Sequence, residues 1–173
     1  MNIKNMALCG LFAALLSVCA WLCVPVADTV LTLQTFGIAL CLGVLGGRRG
    51  TVAIGVYLLL GAVGLPVFSG FRGGFGMLLS TTGGYLTGFV FFGLIYWLIT
   101  ALSPKGQLLG MAAGLFVCYC FGSVWYYHVY TAGGGSVTLG FILIKCILPY
   151  LLPDAVKLLL AWQLSKKLRR FVY

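Results

Sequence analysis

The chain has 173 residues, 62% of them hydrophobic and only 8% charged, with two acidic residues and a net charge of +9. Its mean hydropathy is +1.12. Soluble domains carry roughly a quarter charged residues, so this composition specifies an integral membrane protein. The basic residues gather at the ends of apolar runs, where they act as topology signals and bind anionic headgroups; nucleic acid is thereby excluded as the partner that the net charge alone would suggest.

The first apolar run, Ala7 to Cys23, is near full spanning length and lacks a clean small-x-small cleavage site before Pro25, so it reads as a membrane span and not as a signal peptide. Gly10 and Ala14 form a small-xxx-small ridge on it, suited either to packing within the chain or to docking a partner helix. The stretch "VPVADTV" then leads outward into a second run, Val30 to Leu45. "TLQTF", Thr32 to Phe36, places two hydroxyls and an amide at the outer end of that run; they either cap a helix and hold a loop or face a cavity.

After the terse "GGRRG", a third run spans Thr51 to Leu65. A hydrocarbon core of about 30 Å needs about 20 helical residues, so the second and third runs are short, and a re-entrant hairpin is the alternative for that pair. The connection "GLPVFSGFRGGFGMLLSTTGG" contains a glycine-rich segment without the Lys-Ser/Thr ending of a phosphate loop. It reads either as a surface loop or as a lid whose glycines admit a ligand close to the backbone, with Phe68, Phe71, Phe75 and Tyr85 walling an apolar cavity.

The fourth run, Tyr85 to Leu102, and the fifth, Leu108 to Trp125, are joined by "SPKGQ". The seven cysteines nearly all fall inside apolar runs and include only a Cys118-x-Cys120 pair, so neither a metal site nor a disulfide framework is expected. His128, alone among "WYYHVY", reads as an interfacial aromatic-belt residue. No compact nucleophile or acid/base set can be assembled, so an enzyme is not expected, nor is a cofactor.

The last run ends at Leu168 and contains Asp154 and Lys157. Counting back from Lys166 at 1.5 Å per residue puts them about 18 and 14 Å inside, three residues apart on one helix face. Pro153 is expected in the first turn of this helix, with Asp154 near its positive end. The pair either neutralises itself or, as intramembrane charges usually do, marks a substrate path; the second reading is favoured.

Six alternating spans put Lys4, Arg48, Arg49, Lys105, Lys166, Lys167, Arg169 and Arg170 on one side. The positive-inside rule makes that side, and both termini, cytoplasmic. The expectation is an all-α membrane protein, a single transmembrane substrate-binding domain over residues 1–173, with folded external loops over a ligand cavity.

Four ordered blocks, "TLQTFGIAL", "GGRRGTVAIGVYLLLGAVGLPVF", "GGFGMLLSTTGGYLTGF" and "PYLLPDAVKLLLA", resemble the successive signatures of the BioY family, the biotin-specific substrate-binding (S) subunits of energy-coupling factor transporters. The chain departs from the family's usual Gly-Pro-Thr-Gly-Gly-Tyr in having Ser80-Thr81-Thr82-Gly83-Gly84-Tyr85. The resemblance implies a multi-pass protein of the bacterial cytoplasmic membrane. It implies biotin as ligand and, usually, coupling to a membrane scaffold subunit and two cytoplasmic ATPases. Candidate ligand contacts are Asp154 and Lys157 with Thr32, Gln34, Phe68, Gly73, Gly74, Thr82, Gly83, Gly84 and Tyr85; candidate scaffold contacts are Gly10 and Ala14. The alternatives are a solitary biotin transporter and a related S subunit for another small vitamin.

Overall fold

The computed structural model describes residues 3–26 and 29–172; Asp28, the second acidic residue, lies outside them. In chain order the elements are α1 (Ile3–Trp21), β1 (Cys23–Val26), β2 (Thr29–Thr32), α2 (Gln34–Leu45), α3 (Gly47–Val63), α4 (Phe75–Leu79), α5 (Gly83–Leu102), α6 (Gln107–Ala132), α7 (Leu139–Ile142) and α8 (Leu148–Val172). A single π-helical turn, Leu143–Ile147, joins α7 to α8.

The expectation of an all-helical chain needs one correction. "VPVADTV" is not a featureless connection: β1 and β2 pair antiparallel with Val24 opposite Leu31 and Cys23 opposite Thr32. β-branched residues suit a pleated ribbon, and a hairpin satisfies the backbone groups of a short connection within itself. The second correction concerns the last helix. Pro153 lies inside α8, which runs back through the π turn to α7, so Asp154 is in a helix interior and not at a positive terminus. Pro149 removes a backbone donor and crowds the preceding turn. The wider turn lies immediately before it, closed by a bond from the Leu148 amide to the Leu143 carbonyl five residues back.

Three helices, α1, α5 and α6, are long and apolar enough to cross a membrane, whereas α2 is a shorter apolar helix of 12 residues. Ten residues of α2, Gln34 and Gly37 to Leu45, are buried. A helix that is apolar all round belongs in a core, and α2 is central here, packed against α1, α3 and α8. Gly46, at φ 80°, turns the chain into α3 within one residue, a conformation that L side chains resist. α5 and α6 interlock small against large: a Cβ at Gly114 would stand 2.4 Å from the Phe92 ring, and one at Gly122 2.2 Å from the Tyr85 ring.

Close contacts gather most of the basic residues at one end. The Cys9 thiol donates to the Arg49 carbonyl at 3.6 Å, a Cβ on Gly47 would touch Trp97, and one on Gly43 would touch Ser165. At the opposite end Trp21 donates to the Pro66 carbonyl at 2.8 Å, and Trp125 to the Ser80 carbonyl at 3.0 Å. The hairpin and the glycine-rich loop therefore share the end remote from the cationic clusters.

Candidate functional site

Asp154 is 1% exposed. Its Oδ1 accepts from Lys157 Nζ at 2.7 Å and from Thr35 Oγ1 at 2.8 Å, and its Oδ2 accepts from the Tyr119 hydroxyl at 2.5 Å. Three donors, from α2, α6 and α8, thus converge on one carboxylate. Burying a charge this deeply costs several kcal/mol unless it is paired and hydrogen-bonded, and here it is both.

The Lys157 ammonium also donates to the Thr32 carbonyl at 2.7 Å, tying α8 to the end of the hairpin. From there a continuous set of hydrogen bonds leads to the glycine-rich loop. Thr32 Oγ1 donates to Gln34 Oε1 at 3.2 Å, Gln34 Nε2 donates to the Tyr57 hydroxyl at 2.8 Å, and that hydroxyl donates to the Val67 carbonyl at 3.2 Å. Phe68, 1% exposed, meets the Tyr57 ring edge-on with centroids 5.6 Å apart. It lies directly against Gly61, where an added Cβ would be 2.1 Å from its Cζ. Phe71 has the left-handed φ of 57°, strained for a bulky residue, and stacks on Trp21 at 4.9 Å.

The sequence-predicted residues accordingly separate into groups. Asp154, Lys157, Thr32 and Gln34 share one network, which reaches the loop at Phe68 through Tyr57. Gly73 and Gly74 shape the loop: a Cβ at Gly73 would stand 2.2 Å from the Leu65 carbonyl oxygen, and Gly74 has φ 100°. Thr82, Gly83, Gly84 and Tyr85 form the start of α5. There the Thr82 and Ser80 hydroxyls bond at 3.1 Å, Gly83 lies against the Leu78 carbonyl and Gly84 against Trp125, and Tyr85 bonds Ser123 at 3.3 Å. Gly10 and Ala14 stand apart on an exposed face of α1, with nothing within 4 Å of a Cβ built on Gly10.

Tyr57 and Tyr119 escaped the sequence reading. A signal for Tyr119 was available: it lies 12 residues inside Gln107 just as Asp154 lies 12 inside Lys166, so both sit at about 18 Å from the same end. Two surface clefts, of ≈ 340 and ≈ 380 Å³, open elsewhere and include none of these residues.

The family model of BioY matches residues 1–173. The biotin transporter BioY of Thermotoga maritima is 36% identical over 167 residues, covering 93% of each chain. The probable biotin transporter BioY of Pyrococcus horikoshii is 36% identical over 170 residues, covering 98% of each. The fold matches the crystal structure of the S-component for biotin from an ECF-type ABC transporter with a TM-score of 0.84 at 23% identity, over 97% of this chain and 92% of that one.

Proposed function

This chain belongs to the BioY family, and on that premise we propose that it captures biotin and serves its uptake as the substrate-specific S subunit of an energy-coupling factor transporter. The observation that carries the proposal is the valence left over at the buried pair. A carboxylate has about four acceptor positions and an ammonium three donors. Among the described residues, Asp154 accepts three bonds and Lys157 makes two. One acceptor position, on Oδ2, and one ammonium hydrogen remain, the two kinds of group that a ureido N–H and its carbonyl would use. Charge-assisted bonds of this kind are about twice as strong as neutral ones, so the pair reads a small polar head group in apolar surroundings. Thr32 and Gln34 orient it, while Phe68, the glycines 73, 74, 83 and 84, Thr82 and Tyr85 form the loop and helix start that enclose the ligand.

The chain crosses the bacterial cytoplasmic membrane six times with both termini inside, a reading supported by the gathering of basic residues at one end. The exposed Gly10 and Ala14 ridge is the face offered to a membrane scaffold subunit, which two cytoplasmic ATPases drive. Equilibrium binding of labelled biotin to the purified chain, with other water-soluble vitamins as competitors, tests the function. Biotin alone should saturate and compete at stoichiometric levels; displacement by another vitamin at lower concentration than biotin would overturn the assignment.

A further inference from the structure

The cleft of ≈ 380 Å³ at the basic end is lined by Pro104, Lys105, Gln107, Trp162, Lys166 and Arg169. It lies between the α5–α6 turn and the last turns of α8, far from Asp154. Three cations line it, and none has a carboxylate partner among the described residues, where Asp154 is the single acidic side chain and is committed to Lys157. The Nε of Arg169 is buried and without a hydrogen-bond partner, as is the hydroxyl of Tyr96, which is itself fully buried. A guanidinium does not deprotonate, so an anion in the cleft would compensate a charge that is permanent. Lys166 sits over the Trp162 ring at 3.4 Å, leaving its ammonium hydrogens for an oxygen ligand. The first turn of α6 has no side-chain cap, so its amides add positive potential on the same side.

We propose that this cleft binds the phosphate of an anionic phospholipid headgroup. The lipid is favoured as the source because the cleft is bordered by chain that faces hydrocarbon: Leu102 is 79% and Leu109 66% exposed on one side, and Leu159, one turn before Trp162, is 47% exposed on the other. Trp162 and the lysines are the residue types that settle at the headgroup level, and basic pockets between membrane helices take acidic lipids.

The test reconstitutes the full chain in phosphatidylcholine nanodiscs containing about a quarter phosphatidylglycerol and counts retained lipid by native mass spectrometry. The parent should retain phosphatidylglycerol selectively, and the triple variant Lys105→Gln, Lys166→Gln, Arg169→Gln should lose at least about tenfold of that selectivity. Arg48→Gln, which removes an exposed charge at the same end outside the cleft, should retain it. Circular dichroism and gel filtration establish that the triple variant is folded; the single variant Lys166→Gln gives the same reading in milder form. Equal lipid selectivity in parent and folded variants overturns the proposal. So does saturable binding of inorganic phosphate in discs of phosphatidylcholine alone together with no enrichment of phosphatidylglycerol from the mixed discs.

Discussion

Tyr119 and Thr35 give Asp154 its fixed geometry, since each contributes one hydroxyl donor to a different oxygen of a carboxylate that is 1% exposed. Removing one donor leaves a buried acceptor short of a bond. Tyr119→Phe deletes only the hydroxyl and should destabilise the fold by about 1–3 kcal/mol, read as a lowered thermal midpoint. The same variant should weaken biotin, because Oδ2 loses its anchor; Tyr119→Phe with parent-like stability and affinity would show the hydroxyl to be idle. At this scale the sequence was informative where chemistry was rare. Asp154 and Lys157 stand out in an apolar helix, and Thr32 and Gln34 follow from the same scarcity of polar groups. Tyr57 and Tyr119 were hidden because tyrosine is common in this chain and a phenol counts as apolar surface until its hydroxyl's partner is known.

The glycine-rich loop is joined to the pair through Val67, Tyr57, Gln34 and Thr32. An element tied by single hydrogen bonds to the proposed ligand site should respond to its occupancy. Biotin should slow hydrogen exchange between Phe68 and Tyr85, with the helices α5 and α6 beyond that segment unaffected. Unchanged exchange at saturating biotin would show the loop to be a static surface. Element boundaries were legible where apolar length decided them: α5 begins two residues before the expected Tyr85, and α6 extends seven beyond Trp125. The hairpin was missed because a four-residue strand leaves too short an alternation to distinguish from a loop. The start of α8 was misplaced because Pro153 reads locally as a helix start, whereas the π turn that precedes this proline-bearing run has no local signature.

Over the whole molecule, the proposed six-span orientation rests on the one-sided charge. With the seven native cysteines replaced, single cysteines at Arg48 and Lys105 should be labelled only from the cytoplasm and one at Gly73 only from outside. Positions 48 and 73 reacting from the same side would contradict six spans. α2 shows why span counting from sequence is incomplete: its 12 residues cover about 18 Å, and it is short because protein, not lipid, surrounds it. Residues that are apolar all round suit a core helix and a membrane span alike, and the assembled bundle decides between them.

Whether the Asp154–Lys157 pair reads the ligand is decided by the biotin affinity of the double variant Asp154→Asn, Lys157→Met. Each single substitution strands a charge in a poorly solvated site, which mixes folding with binding; the double variant removes both charges together. The double variant should fold, with thermal stability above that of either single variant, and bind biotin more weakly by about 1.5–3 kcal/mol or more, the worth of one or two charged hydrogen bonds. A stable double variant that binds biotin as tightly as the parent would contradict that expectation.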